Sequence, residues 1–303
     1  MSAKNYLATY AKSFNWAGFF LPKNTYKKCS ALYDFCRVAD NIADDENTIT
    51  VKKEKFKKFK DNFENKNFND PIIKNIWDLI SEYNISITII HDLFDGINSD
   101  IKEQVKLTTE KELLIYSYRV AGTVGLMMAK ILKVNKKNSL KSAIDLGIAM
   151  QLTNISRDVI EDFNNNRVYI DQNFENIKST IELSEKFYEN SFYSIKEIPL
   201  SFRFSILVAR RVYRKIGYKI LNKKNFENYK KSGKIYVNNV EKIVETLLSI
   251  IDLLKLVLTN NNDDNIELVS SNEIELGIKN SAKVPEILPD SKQGDLSLSK
   301  TQL

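Results

Sequence analysis

Turn-forming residues are scarce in this chain, which narrows the folds open to it. Its 303 residues include only 9 Gly and 5 Pro, the two residue types that most often interrupt helices and strands. Apolar residues recur at helical spacing almost throughout residues 1–258, and the period-two alternation of strands is rare. With 43% hydrophobic residues, the chain can bury a large core. The pattern predicts an all-α fold in which residues 1–259 form a single helical domain.

The same periodicity predicts where the helices begin and end. They span residues 5–18, 24–45, 49–65, 70–82, 86–101, 109–133, 137–163, 178–196, 200–223 and 238–259. The central helices are apolar on more than one face, which is typical of helices inside a bundle. We therefore expect them to pack as one compact body.

The C-terminal segment has a different composition. Residues 260–303 contain eight acidic and four basic residues, a net charge of −4, and no aromatic residue. Because the whole chain carries +6, residues 1–259 carry +10. A segment of this kind cannot bury enough apolar surface to offset its ordering entropy. We expect residues 260–303 to be a disordered acidic tail that is dispensable for chemistry.

The cysteines and the N-terminus indicate a cellular compartment. Cys29 and Cys36 lie seven residues apart in one predicted helix, which is typical of small core residues in a reducing compartment and not of a disulfide. The first twenty residues lack a continuous apolar segment of the kind that signal peptides contain. No apolar run is long enough for a transmembrane helix. We expect a cytoplasmic protein, with peripheral membrane association left open.

A first pair of carboxylates lies on the predicted helix 24–45. Tyr33, Arg37, Asp40 and Asp44 follow one another at helical spacing and form a single stripe among apolar side chains. The simpler reading is a solvated face with an Arg–Asp ion pair. The apolar surroundings argue against it, and a guanidinium beside two carboxylates suits a diphosphate site, since it can bind phosphate oxygens in pairs.

A second pair repeats the spacing on the predicted helix 137–163. Gln151, Asn154, Asp158 and Asp162 share one face, so the Asn can supply a further oxygen ligand or a hydrogen bond to substrate. We place Gln151 among the substrate-binding residues. Buried Gln and Asn side chains can also serve only to join helices by hydrogen bonds. That alternative does not explain why the spacing of the first pair recurs.

Together the two pairs predict a metal site. Four carboxylates around one small apolar volume destabilise a fold unless cations compensate their charge. Mg²⁺, with Mn²⁺ as the alternative, suits oxygen ligands and shares its coordination with water and substrate phosphates. Asp40, Asp44, Asn154, Asp158 and Asp162 are the candidate ligands. The sequence thus indicates an enzyme that binds a diphosphate, with Arg167 and Tyr169 in a loop able to close over it.

Three further features carry less specific signals. Gly122 and Gly125 lie on one face of the helix at 109–133, which indicates close helix contact, space for a long apolar ligand, or both.

Residues 210–234 hold ten Lys or Arg against one Glu. Their positive field attracts diphosphates or anionic lipid headgroups. Nothing else indicates nucleic-acid binding, so we expect none. The single histidine, His91, has no partner motif for zinc.

Four segments carry a resemblance to a known family. They are KSF at 12–14, LYDFCRVADNIADD at 32–45, YRVAGTVGLMMAKIL at 118–132 and LGIAMQLTNISRDVIEDFNNNRVYI at 146–170. Over residues 10–245 the chain resembles the squalene/phytoene synthases, which join two prenyl diphosphates head to head, and among them the bacterial phytoene synthases. This resemblance implies an isoprenoid synthase fold with helices around a deep central cavity.

The resemblance also implies roles for individual residues. Asp40, Asp44, Asp158 and Asp162, with Asn154 beside them, would hold Mg²⁺ and the diphosphates at the mouth of the cavity. Phosphate would be contacted by Lys12, Ser13, Arg37, Arg157 and Arg167. Tyr33, Tyr118 and Tyr169 would line the cavity near the reacting carbons, where aromatic faces stabilise carbocations.

The implied reaction converts two geranylgeranyl diphosphates to phytoene through a cyclopropyl diphosphate, for carotenoid biosynthesis and without NADPH. The nearest alternative is a C30 squalene or dehydrosqualene synthase that uses farnesyl diphosphate. A non-catalytic assembly protein is a second alternative. Two positions depart from the family pattern: Asn41, where many relatives have Asp, and Asn239, where a Lys is expected.

The segment 244–258 is strongly apolar, with Glu245, Asp252 and Lys255 on one side. It predicts either docking on a membrane surface or a helix of the bundle. Because phytoene is insoluble in water, we expect the enzyme to sit at a membrane surface.

Overall fold

A computed structural model describes residues 6–258 of the chain. The predicted acidic tail, residues 260–303, lies outside the described residues. The secondary structure is almost entirely helical, so the predicted all-α class is confirmed. No helix among residues 6–258 combines the length and apolar character needed to cross a membrane.

The described residues form thirteen α-helices and one short pair of strands. The helices are α1 (Tyr6–Tyr10), α2 (Lys12–Gly18), α3 (Lys23–Asp44), α4 (Ile49–Glu64), α5 (Pro71–Tyr83), α6 (Ile87–Ser99), α7 (Glu110–Ser117), α8 (Thr123–Ile131), α9 (Lys137–Asn164), α10 (Phe174–Phe192), α11 (Leu200–Leu221), α12 (Phe226–Lys231) and α13 (Asn239–Leu258). A π-helical turn, Tyr118–Gly122, joins α7 to α8, and a 3₁₀ turn, Tyr193–Glu197, follows α10.

Several boundaries differ from the predicted ones for local reasons. The predicted helix 5–18 is divided at Ala11, and the predicted helix 109–133 contains the π-helical turn. Helix α10 begins four residues before its predicted start, because the Asn173 side chain caps it by accepting a hydrogen bond from the Asn176 amide. Helix α12 is only six residues long, too short to show a periodicity in the sequence.

The two strands are also too short to predict. β1 (Val105–Lys106) and β2 (Arg167–Val168) pair in parallel, with Val105 opposite Arg167. Two flanking bonds complete the ladder: the Val105 amide donates to the Asn166 carbonyl and the Leu107 amide to the Val168 carbonyl, each at 3.0 Å. This pairing joins the segment after α6 to the segment after α9, and so fixes the position of Arg167.

The core has two distinct parts. Phe35, Phe56, Phe59, Phe63 and Phe94 are buried together between α3, α4 and α6, with ring centroids 5.4 to 6.0 Å apart. Offset and edge-on contacts at such distances add to the stabilisation from burial. The long helix α9 forms the other part and packs against α8, α10 and α11. The central cavity lies beside α9.

Glycines allow α8 and the π-helical turn to approach α9 closely. A Cβ at Gly125 would lie 2.2 Å from the Ala143 carbonyl oxygen, and one at Gly147 would lie 2.3 Å from that of Ala121. The sequence left two explanations for the glycines of this region, and the structure shows the first of them, close contact between helices. Gly125 and Gly147 also line the central cavity, so the second explanation, space for a ligand, is compatible with the same geometry.

Candidate active site

A cavity of about 1450 Å³ occupies the centre of the bundle. Its walls come from α2, α3, α8, α9 and α11, and apolar side chains such as Val124, Leu146, Met150 and Ile206 cover much of them. Polar and charged side chains gather at one end, where the loops after α3 and α9 and the segment before α13 meet. This volume is larger than the roughly 300–1,000 Å³ of a typical small-ligand pocket.

The first carboxylate pair lies at the C-terminal end of α3. Arg37 Nη1 lies 3.0 Å from Asp40 Oδ2 and 3.9 Å from Asp44 Oδ2. The Asp40 side chain is 47% exposed, but it faces the cavity, where protein atoms replace much of the bulk solvent. Burial, followed by the charge of Asp44, raises the pKa of Asp40 well above its usual range. The Arg37 guanidinium therefore compensates the charge of the two carboxylates only in part.

The second pair lies at the C-terminal end of α9. Arg157 binds the neighbouring Asp158 with two bonds, one of them 2.8 Å from Nε to Oδ1, and Lys234 Nζ lies 3.4 Å from the same oxygen. Burial and then the Asp158 charge raise the pKa of Asp162 to about 8. The C-terminal end of a helix carries partial negative charge, which adds to the cost of ionising these carboxylates.

Arg167 connects the two pairs. Its Nη1 atom lies 2.7 Å from Asp44 Oδ1, and its Nη2 donates a hydrogen bond of 3.0 Å to the Ala43 carbonyl. Arg167 lies on β2, three residues after the end of α9, so the residue that contacts α3 directly follows the helix that bears Asp158 and Asp162. Both Asp-x-x-x-Asp motifs thus face one volume, as their repeated spacing predicts.

A buried cluster of tyrosines lies next to Arg167. Tyr116 and Tyr169 stack with centroids 4.6 Å apart and donate hydrogen bonds to the two oxygens of Asp100, at 2.7 and 2.8 Å. Burial raises the pKa of Asp100. Tyr169 is held in this cluster and does not contribute to the cavity wall, which differs from its expected position.

Tyr118 also lies away from its expected position. It is buried, and its hydroxyl donates a 2.8 Å hydrogen bond to Asp92. Tyr116, two residues earlier, lines the cavity instead. The expectation for Tyr118 came from the family resemblance. In the structure a π-helical turn begins at Tyr118 and rotates the residues that follow it relative to those that precede it. Sequence patterns alone give no sign of that turn.

Twelve of the fourteen predicted site residues line the cavity. They are Lys12, Ser13, Tyr33, Arg37, Asp40, Asp44, Gln151, Asn154, Arg157, Asp158, Asp162 and Arg167. The structure brings them together, and their individual roles stay predictions.

Three further lysines in the wall were not predicted as site residues: Lys52, Lys234 and Lys242. Lys242 is only 7% exposed, and burial followed by the charge of Lys12 lowers its pKa. It follows Asn239 by one helical turn, so a cation reaches the wall close to the position where the family pattern expects one. Of these three lysines, Lys234 alone belongs to the basic run at residues 210–234, so it alone had a signal in the sequence.

The donor set fits a divalent cation that is held jointly by protein and diphosphate. Asn154 Oδ1 is buried without a hydrogen-bond partner, and Asp40 and Asp162 are carboxylates with raised pKa values. Within residues 6–258, no three His, Cys, Asp or Glu side chains are close enough to enclose a metal ion by themselves. Mg²⁺ ordinarily keeps several waters and phosphate oxygens among its ligands, so two separate carboxylate pairs suit it.

Helices around a deep apolar cavity, with acidic pairs at its mouth, define an isoprenoid synthase fold. The sequence model of the family described as squalene/phytoene synthase matches residues 7–174, more than half of the chain. The chain therefore belongs to the squalene/phytoene synthase family.

Individual relatives agree with this assignment. The chain is 29% identical to a phytoene synthase from Pseudescherichia vulneris, over 71% of this chain and 80% of the relative. It is 27% identical to a 15-cis-phytoene synthase from Pantoea ananas over the same shares. Among solved structures, a dehydrosqualene synthase in complex with a ligand superposes with a TM-score of 0.69 at 25% identity, covering 82% of this chain and 94% of the other.

Proposed function

We propose that this protein is a phytoene synthase, a prenyltransferase that joins two geranylgeranyl diphosphates head to head. The observation that carries the proposal is the pair of Asp-x-x-x-Asp motifs, connected by Arg167, at the mouth of a deep apolar cavity. Its curated relatives of 27–29% identity are named phytoene synthases, which supports the proposal. Mg²⁺ would be held by Asp40, Asp44, Asn154, Asp158 and Asp162, and when bound it neutralises the diphosphate charge.

The cationic side chains of the mouth would bind and orient the diphosphates. Arg37, Arg157 and Arg167 present donors that match phosphate oxygens, and Lys12 and Lys242 add charge on the side of α2 and α13. These groups stabilise negative charge as it develops on the departing diphosphate, which lowers the barrier to an allylic cation. The apolar wall excludes water that would otherwise trap the cation.

The bond changes follow from that ionisation. The C2–C3 double bond of the second substrate attacks the allylic cation, and loss of a proton closes a cyclopropyl diphosphate. Departure of the second diphosphate, rearrangement and loss of another proton give phytoene. Released diphosphate is a base for these protons. Tyr33 and Tyr116 lie in the wall, where their rings can stabilise the intermediate cations.

The length of the cavity wall accommodates the proposed C20 substrate. Asp158 and Ser142 both line it, and they lie sixteen residues apart on α9, or about 24 Å at the rise of an α-helix. An extended C20 prenyl chain is on the order of 20 Å long and a C15 chain on the order of 15 Å, since each carbon advances by less than a C–C bond length. The wall is thus long enough for the C20 chain.

The rival function is a C30 synthase using farnesyl diphosphate, because a dehydrosqualene synthase is among the similar structures. Incubation of the purified protein with Mg²⁺ and either substrate, with and without NADPH, separates the two by mass spectrometry of the organic extract. We expect a C40 hydrocarbon that needs no NADPH. A C30 product would assign the chain to the squalene or dehydrosqualene branch.

Two variants test the catalytic proposal against a non-catalytic assembly role. Asp40→Asn and Asp158→Asn keep the side-chain shape but remove a charge from each pair, so turnover should fall by roughly a hundredfold or more. Asp78→Asn is the matched control, since that carboxylate is 63% exposed and pairs only with Lys74 on the surface. Absence of any hydrocarbon from the folded wild type with added lipid would favour the assembly role.

A further inference from the structure

Helix α13 packs on the bundle through its polar side. Glu241, Glu245, Ser249 and Asp252 follow one another every three or four residues, and so form one stripe. The last three are buried against α11. An amphipathic helix on the surface of a bundle ordinarily buries its apolar side, so this orientation is the reverse of the usual one.

Ion pairs with α11 fix that orientation. Arg211 donates two hydrogen bonds to Asp252, one of 2.6 Å from Nε to Oδ2 and one of 2.9 Å from Nη2 to Oδ1. Its Nη1 atom also lies 3.4 Å from Glu245 Oε2. One end of the helix is held by Lys219, whose Nζ lies 2.7 Å from Glu241 Oε2. Removing a partner from such pairs is costly, so the polar side stays against α11.

The opposite side of α13 is apolar and exposed. Nine large apolar residues there are 46–78% exposed: Val240, Ile243, Val244, Leu247, Ile250, Ile251, Leu254, Val257 and Leu258. They run the whole length of the helix. Soluble monomers rarely expose a continuous apolar patch of this extent, and larger patches usually mark sites of interaction.

Basic residues adjoin one end of this apolar face. Residues 223–234, which lead into α13, contain five Lys and a single Glu. Lys231 pairs with Glu227 and Lys234 pairs with carboxylates of α9, so the other three Lys carry most of the charge that faces outward. Of the charged residues in α13, only Lys255 is exposed, and it is also basic. Tyr236, between the basic segment and the helix, is 70% exposed and lies at the mouth of the cavity together with Lys234.

We propose that the outward face of α13 lies in the headgroup region of an anionic lipid bilayer, with residues 223–234 against the headgroups. Positive charge beside an apolar face complements anionic lipid. The exposed face of α13 carries no acidic residue. In a dimer formed through this face, the second copy would therefore offer the basic residues 223–234 no acidic partner. The mouth of the cavity would then open beside the membrane. This interaction goes beyond the proposed function, since it needs no substrate and is measured without one.

Flotation of the full chain with vesicles tests the proposal. Vesicles of phosphatidylcholine with phosphatidylglycerol are compared with vesicles of phosphatidylcholine alone. Leu254→Glu places a charge in the middle of the face, and Phe68→Glu is the matched control, because Leu254 and Phe68 are 55% and 52% exposed. We expect the wild type and Phe68→Glu to float with the anionic vesicles. Leu254→Glu should bind at least tenfold more weakly, with an unchanged melting temperature.

Two results would overturn the proposal. One is a wild type that does not float with anionic vesicles. The other is a Leu254→Glu variant that floats as the wild type does, in particular if sedimentation shows that it has changed from dimer to monomer, which would assign the face to a second copy. Hydrocarbon synthesis in detergent, assayed on the same preparations, separates a failure of membrane binding from a failure of the proposed function.

Discussion

Arg167 Nη1 lies 2.7 Å from Asp44 Oδ1, although 123 residues separate them in sequence. The same guanidinium donates to the Ala43 carbonyl, so it binds both the side chain and the backbone at the end of α3. Arg167 thereby ties the segment that follows α9 to the end of α3. This contact couples the two halves of the candidate site, and its loss should affect them together.

Arg167→Lys should lower kcat/KM by roughly tenfold or more, because an ammonium group cannot reproduce the planar set of donors. The side chain would still carry its charge, so simple loss of charge cannot explain the effect. Arg203→Lys is the control, since Arg203 also donates to backbone carbonyls, those of Lys196 and Ile198, and does not line the cavity. Equal kinetics for both variants would contradict the positioning role.

Asp145→Asn should change how stability depends on pH. Asp145 is 3% exposed, its Oδ2 has no hydrogen-bond partner, and burial raises its pKa from 3.8 to about 7. Between those values the unfolded chain releases a proton that the folded protein retains, so the stability of the wild type falls as pH rises, and above about 7 the loss is complete.

Because Asn does not ionise, the variant avoids that loss. Its stability relative to wild type should increase by about 3 kcal/mol between pH 5 and pH 8, since the two pH units between 5 and the folded pKa of about 7 are worth about 1.4 kcal/mol each. Urea unfolding at the two pH values measures the difference, with Asp78→Asn as the exposed control. A stability difference that is the same at both pH values would contradict the assignment.

Gly125→Ala should destabilise the fold by on the order of 3 kcal/mol, because the new methyl group would meet the Ala143 carbonyl at 2.2 Å and two helix backbones would have to separate. Gly217→Ala provides the comparison. There the methyl group would contact only the side chain of Ile181, at 3.3 Å, and Ala favours helix. Its free energy of unfolding should stay within about 1 kcal/mol of wild type. Equal effects would show that α8 and α9 can move apart easily.

Ser142→Leu tests the depth of the cavity. Ser142 donates a 2.7 Å hydrogen bond to Ser194, and both line the cavity near the start of α9. A larger side chain there should shorten the space for the prenyl chain. If the proposed function holds, the ratio of C40 to C30 products from an equimolar mixture of the two substrates should fall by roughly tenfold, since two methylenes lost from burial cost about 1.6 kcal/mol, at about 0.8 kcal/mol each. Ser142→Ala should keep the wild-type ratio, and an unchanged ratio for Leu would place the end of the chain elsewhere.

The sequence predicted the acidic part of the site because helical spacing is a local property. Asp40 and Asp44, or Asp158 and Asp162, share a face of any regular helix, whatever the rest of the fold does. Tyr118 was assigned to the cavity wall from the family resemblance, and the π-helical turn that begins there is set by packing and leaves no periodic signal. Tyr116 was missed because no spacing or motif in the sequence marks it.

The orientation of α13 shows a second limit of prediction from sequence periodicity. The periodicity of residues 239–258 reveals two different faces, and the usual rule assigns the apolar one to the core. Here ion pairs from α11 to Glu241, Glu245 and Asp252 decide which face of α13 turns inward, and the basic partners lie more than twenty residues away in sequence. Lys242 enters the cavity wall for the same reason, since it shares the inward face.

The β1–β2 ladder makes assembly of the site observable by hydrogen exchange. Arg167 is held in place by a strand of only two residues, and the Val105 and Leu107 amides form the bonds that fasten it. Such a short ladder can open without unfolding the bundle, so its exchange rate reports local opening. If bound diphosphate draws Arg167 inward, these two amides on a distant segment should exchange more slowly, although neither touches the ligand.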